Sequence, residues 1–299
     1  MRPTHAVIAA AAWLGIAIGA NLAWAQADPD KLLRVAFPAA ETGFDPQAAG
    51  DEYSNSVNRV IFDTLYKYDY LARPYKLVPN TAVGMPEFSA DGRTWRIRLR
   101  PGIFFADDPV FKGQRRELTA ADYVYAMKRV LDPRIRSNSL QALDGRFVGA
   151  EAIVARAKET GRFDYDAPME GLQAIDRYTI QFRLNFSDYE LLANLTTVAT
   201  AGIAREAIEA YADGAGWVMA NPVGTGPYRP RTGAGASGSC CRRIRTSATS
   251  SIPRAATPMI APTPSCAAGS CRWCGASRSA SSRNRIRGFL PSSRVISTS

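Results

Sequence analysis

The residue types that could carry chemistry are sparse in this chain, and their positions exclude more than they allow. The only histidine of the 299 residues is His5. It lies in an N-terminal segment of the kind removed on export, so no Ser-His-Asp triad, HExxH zinc site or histidine base is expected in the mature protein. All five cysteines fall beyond Pro230. Up to that point neither a thiol nucleophile nor a cysteine-ligated metal is available. Asp107-Asp108 is an adjacent acidic pair in an expected loop, but neighbouring side chains seldom converge on one substrate. Cys271-Arg272-Trp273-Cys274 has CxxC spacing without a second pair of ligands, and Cys240-Cys241 leaves an odd count, so neither a metal nor a redox site is expected. Only carboxylates, Ser, Lys and Tyr are left for chemistry up to Pro230. No catalytic residue and no cofactor is expected.

The elements that would position such a binding site are those of a mixed α/β chain. Leu33, Val35 and Phe37 alternate as a short strand ending at Pro38, followed by a loop over Glu41–Pro46. Val57, Val60, Ile61 and Leu65 share one helical stripe, with Ser54 or Asn55 as the cap. Tyr66, Tyr68 and Tyr70 alternate beyond it. The clearest strand runs from Thr94 to Arg100: Trp95, Ile97 and Leu99 point one way, Arg96, Arg98 and Arg100 the other, as expected for a sheet with one wet face. Ser89-Ala90-Asp91-Gly92 supplies turn chemistry before it. Thr119 with Asp122 forms a capping box for a helix carrying Tyr123, Val124, Met127, Val130 and Leu131, stopped at Asp132-Pro133. Tyr178, Ile180, Phe182 and Leu184 mark a second strand. Short helices are expected near Tyr189–Thr197 and Ala204–Ala212, the latter ended by Gly214.

Composition divides the chain. Residues 1–25 carry Arg2, an apolar run from Ala6 to Ala20 and Ala23-Trp24-Ala25, the pattern of a secretory signal peptide. The run is shorter than the roughly 20 residues that span a bilayer, so the mature chain, 26–299, is expected in the periplasm. Residues 231–299 contain eleven arginines, fifteen serines and no Asp, Glu or Lys. The formal charge of +10 therefore belongs to that segment, because residues 1–230 hold 26 basic and 27 acidic side chains. With only eight Leu, Ile, Val and Phe among its residues, the segment is expected to be disordered. An out-of-frame translation is one reading of it.

Four segments, in order, resemble the family 5 extracellular solute-binding proteins, the oligopeptide and dipeptide receptors of ABC importers. They are Phe44-Asp45-Pro46; Asp91-Gly92-Arg93-Thr94-Trp95 through Leu99-Arg100-Pro101-Gly102 to Phe105; Leu118-Thr119-Ala120-Ala121-Asp122 with Tyr123 and Arg129; and Val223-Gly224-Thr225-Gly226-Pro227-Tyr228. Ala174-Ile175-Asp176 through Leu184 resembles a further landmark. The resemblance implies a periplasmic-binding-protein type II-like α/β fold, of which 26–230 would be the N-terminal part. It implies capture of a peptide or peptide-like solute between two lobes by hinge closure, without catalysis, and handover to an inner-membrane ABC permease. It implies ligand contact only at Glu41, Thr42, Gly43 and Phe44, which match a stretch near the cleft. A monomer that binds no nucleic acid is expected. Nickel chelates, opines and sugars are carried by relatives of this kind as well. Two other classes stay open on the residues: a secreted interaction protein with a basic tail, and a carboxylate-based hydrolase.

Overall fold

A computed structural model describes residues 35–230 and the backbone of 241–243. From Phe37 onward the described residues fall in one unit. The element order is α1 (Glu52–Ile61), β1 (Tyr66–Tyr68), β2 (Leu77–Pro79), β3 (Glu87–Phe88), β4 (Thr94–Arg98), α2 (Ala120–Leu131), α3 (Ala150–Thr160), β5 (Leu172–Asp176), β6 (Thr179–Arg183), α4 (Glu190–Asn194), α5 (Arg205–Tyr211), β7 (Tyr228–Pro230) and β8 (Cys241–Arg243). The signal peptide at 1–25, and the expectation of disorder and frameshift for 231–240 and 244–299, lie outside the described residues. Between those two stretches Cys241–Arg243 pair with β7 in an antiparallel ladder.

The main sheet has four antiparallel strands in the order β3-β4-β6-β5. Alternation decides its two faces. On the inner face Trp95 sits opposite Phe182 and Ile97 opposite Ile180, all four at most 1% exposed. Full burial of each contributes about 1.5–3 kcal/mol. The indole N–H of Trp95 is not orphaned by this, since it donates to the Gly92 carbonyl at 2.9 Å. On the outer face Arg96 donates to Gln181 at 3.2 Å and Arg98 pairs with Glu87 at 3.3 Å. The arginine stripe is therefore a solvated strand face. The β3–β4 turn places Gly92 at φ +67°, where a Cβ would be strained, and Asp91 accepts the N–H of Arg93 at 3.1 Å.

Helix α2 lies on the inner face and buries Tyr123, Met127, Val130 and Leu131 in the core shared with the sheet. Its start is closed by Asp122, whose Oδ2 accepts the backbone N–H of Thr119 at 2.7 Å and the Thr119 hydroxyl at 2.9 Å. Arg116 clamps the same carboxylate at 2.7 Å and reaches Glu206 on α5 at 3.0 Å. Burial raises the Asp122 carboxyl above its ordinary value against the pull of Arg116.

Three expectations need correction. Val35 and Phe37 belong to no strand, and Leu33 lies outside the described residues; a strand needs a ladder partner, and none is present among the described residues. Helix α1 begins at Glu52 rather than near Ser54, because Asp51 is the cap and its carboxylate accepts the Ser54 N–H; it ends at Ile61, so Leu65 reaches the core from outside the helix. Helix α5 stops at Tyr211 with Ala212 already extended, before Gly214 has any part in it. One helix, α3, was not expected at all.

Candidate functional site

The loop over 41–48 is built by groups brought from distant parts of the chain. Released from capping, Ser54 turns its hydroxyl to the loop and accepts the N–H of Thr42 at 2.9 Å and of Gly43 at 3.3 Å. The Thr42 hydroxyl donates to Asp51 at 2.6 Å. Burial pushes the Asp51 carboxyl up, yet the hydrogen bonds from Ser54 and Thr42 outweigh it and hold the group at about 2. The N–H of Phe44 donates to the Met219 carbonyl at 3.1 Å, and Gly43 packs so closely that a Cβ there would meet the Met219 side chain at 2.4 Å.

Below the loop lies a buried ion pair. Arg129 Nη2 meets Asp45 Oδ2 at 2.8 Å and Nη1 meets Oδ1 at 3.1 Å, with both side chains at most 1% exposed. Two further donors of the guanidinium go to Gln47 Oε1 at 2.6 Å and the Gly216 carbonyl at 2.7 Å. Asp45 also accepts the N–H of Gln47 at 3.0 Å and of Val218 at 2.9 Å. Burial works against the charged guanidinium, and the Asp45 carboxylate outweighs it, so Arg129 stays above its ordinary value. A charge pair this dry is tolerable only because nearly every lone pair and N–H has a partner.

The Val223–Tyr228 strap closes the other side. A Cβ on Gly224 would lie 2.0 Å from the Ile61 carbonyl oxygen and one on Gly226 2.6 Å from that of Val60. Only glycine admits this approach. Gly226 N–H donates to Ile61 O at 2.7 Å, satisfying a carbonyl that the end of α1 leaves open, and Thr225 donates to the buried Asp63 carboxylate at 3.1 Å. Phe44, Phe62, Ile203, Ile208, Val218 and Pro222 line a shallow apolar depression between loop, strap and α5.

Glu41, Thr42, Gly43 and Phe44 are thus contiguous, but their side chains diverge in role. Phe44 is 5% exposed and belongs to the smaller core cluster with Val57, Ile61, Phe62, Tyr125 and Ile203. The N–H groups of Thr42, Gly43 and Phe44 are all engaged internally. Glu41 and Thr42 are the side chains with surface exposure. The support residues Ser54, Gln47 and Met219 were not anticipated from sequence; the Asp51-x-x-Ser54 spacing was the one local signal that Ser54 is not the cap. Asn58, one turn beyond Ser54, is buried with neither amide atom paired among the described residues, and the structure offers no account of it.

The structure does not bring Asp107 and Asp108 together on one site. Asp108 caps the short 3-10 helix Pro109–Phe111 and accepts the Tyr211 hydroxyl at 2.5 Å, a bond that, with burial, pushes that phenol up to about 12. Asp107 takes Arg229 on its backbone carbonyl at 3.3 Å. Asp108 thus has a structural role of its own, and the contact at Asp107 involves its backbone rather than its carboxylate. Among the described residues no group of three or more His, Cys, Asp or Glu could hold a metal ion, and no helix is long and apolar enough to cross a membrane.

Residues 76–232 match the family described as bacterial extracellular solute-binding proteins, family 5 Middle. The chain is 28% identical over 241 residues to di/tripeptide-binding protein 2 of Pseudomonas aeruginosa, covering 76% of this chain and 40% of that protein. It is 26% identical over 219 residues to the glutathione-binding protein GsiB of Pectobacterium atrosepticum, covering 73% and 35%. These relatives are binding proteins, and the chain spans about 40% or less of their length. The substrate-binding domain of an oligopeptide ABC transporter from Bacillus anthracis superposes with a TM-score of 0.57 at 17% identity, covering 72% of this chain and 39% of that one. DppA of Helicobacter pylori in complex with the peptide STSA gives 0.54 at 22% identity, covering 70% and 38%. The fold is that of type II periplasmic binding proteins. With the four motifs placed on the hairpin, the capping box, the buried ion pair and the glycine strap, and the family pattern matched over more than half of its length, this chain belongs to the bacterial extracellular solute-binding proteins of family 5.

Proposed function

We propose that this chain is the N-terminal part of the periplasmic substrate-binding component of an ABC importer, which captures peptides or peptide-like solutes and presents them to an inner-membrane permease. Family membership, with relatives named for di- and tripeptides and for glutathione, carries the reading. Residues 1–25 direct export and the mature chain acts as a monomer without catalysis. Glu41, Thr42, Gly43 and Phe44 form the ligand edge: Phe44 fixes the loop from beneath, and Glu41 and Thr42 present a carboxylate and a hydroxyl to one end of the solute. Internal engagement of the loop's N–H groups favours this division, since a loop held from below loses less entropy on binding.

Residues 231–299 are read as an out-of-frame extension of a receptor that continues with a second lobe. Sequencing the gene from the codon for Gly224 to several hundred bases past Ser299, in all three frames, tests this: a shifted frame that resumes the family pattern is expected, and shifted frames without it reject the proposal. Calorimetry with pools of di- to pentapeptides then tests the ligand on the chain so defined. Saturable heat, reduced at least tenfold by Glu41→Gln with Thr42→Val, is expected, and its absence overturns the peptide reading.

A further inference from the structure

The hairpin formed by β1 and β2 stands apart from everything that explains the rest of the molecule. Its ladder is a two-stranded sheet of its own, paired Tyr66 with Pro79, Lys67 with Val78 and Tyr68 with Leu77. Beyond Tyr66 it gives no side chain to either core cluster. Yet it carries Tyr68, Tyr70, Leu71 and Tyr75 at 48%, 68%, 59% and 79% exposure. Exposed apolar area of this density marks an interaction surface. The charges beside it are mainly of one sign. Lys67, Arg73 and Lys76 are exposed and stand in no ion pair within the described structure. The one acid, Asp69, is half-buried, and its Oδ1 accepts the N–H of Leu71 at 2.9 Å and of Ala72 at 3.3 Å, so three cations stand beside a single carboxylate. The tip is also ordered, with Asp69 N–H on the Lys76 carbonyl at 2.8 Å and the Arg73 guanidinium 5.6 Å from the Tyr75 ring centroid.

We propose that this tip, Lys67 to Lys76, is a docking surface for an anionic lipid bilayer. Tyrosine suits the headgroup layer because its ring is apolar and its hydroxyl stays wet. Each cation near anionic headgroups strengthens attachment by roughly fivefold, an effect that salt screens. A bilayer receives such a tip without the shape matching that a stable protein interface of roughly 800 Å² per partner needs. The inference does not depend on the ligand reading above.

The test uses the full chain in sedimentation with vesicles of phosphatidylglycerol, and with phosphatidylcholine as the uncharged control. Binding to the anionic vesicles, falling at high salt and reduced about tenfold or more by Tyr70→Ser with Leu71→Ser and Tyr75→Ser, is expected. The arginines of 231–299 are the same in both proteins, so attachment through them alone leaves the variant equal to wild type and overturns the proposal. A second readout is Tyr75→Trp, whose difference emission against wild type should shift blue with phosphatidylglycerol vesicles and not with phosphatidylcholine. An unshifted spectrum overturns the proposal whether or not the triple variant folds, as does binding to soluble polyglutamate in preference to vesicles, which would mark an acidic protein surface instead.

Discussion

The sheet with α2 and the loop-and-strap region around α1 solve the same problem by opposite means. The first is held by apolar side chains whose alternation fits a pleat, so each contact is replaceable by another of similar volume. The second is held by polar groups, several of which meet across 84 to 173 residues of chain, and each is fixed by specific partners. Apolar packing degrades gradually under substitution, whereas a dry polar network fails when one member is lost. Breaking or sharpening that contrast takes four experiments, from the largest effect down.

Arg129→Met should cost about 3–5 kcal/mol in urea denaturation, because it leaves the Asp45 carboxylate buried and unpaired. Adding Asp45→Asn should recover a measurable part of the loss, a non-additivity of at least about 0.5 kcal/mol. In the sheet, by contrast, Ile97→Val should cost only about 0.5–1.5 kcal/mol and add to distant changes. Additive behaviour of Arg129 and Asp45 would erase the distinction.

Gly224→Ala should cost about 1–3 kcal/mol, since the methyl meets a backbone oxygen that cannot move aside without opening the end of α1. Faster hydrogen exchange at Gly226 is the local signature. Ser54→Ala should cost about 1–2 kcal/mol by leaving the buried Gly43 N–H without an acceptor, with exchange accelerated at Thr42 and Gly43 and unchanged in β4 and β6.

The smallest effect is pH-dependent. Because the Asp51 carboxyl is lowered from 3.8 to about 2 in the folded protein, its contribution is present above the unfolded value near pH 4 and lost as pH falls toward 2. Thermal melting should therefore lose stability over that window, and Asp51→Asn should lower the melting temperature at neutral pH while flattening this part of the acid profile. An unchanged profile would remove Asp51 from the clamp.

How far each region was legible follows from the same contrast. β4 and β6 could be read because Trp95, Ile97, Ile180 and Phe182 repeat every second residue, and α2 because Thr119 and Asp122 sit three apart before an apolar stripe. Helix α3 escaped because it buries only Ala150 and Ala157, too narrow a stripe to show as a period. The start of α1 was misplaced because Asp51, Ser54 and Asn55 are all capping residues, and only the demand of the Thr42 and Gly43 N–H groups decides between them. Nothing local to Asp45 or Arg129 announces that they meet. The Glu41–Phe44 loop could be located from its resemblance, but the clamp that shapes it comes from Ser54, Met219 and Val218, which no short-range pattern links to it.

The glycine strap has a bearing on the order in which the molecule is made. Gly224 and Gly226 fit against Ile61, Thr225 bonds Asp63 162 residues upstream, and Val218 completes the shell of Asp45. The first-synthesised half thus waits for a late segment before its polar interior is sealed. For a chain made from its N-terminus, that delay separates two stages: the sheet and α2 can form before the strap exists, and the loop around Asp45 locks only once residues 218–226 have been added.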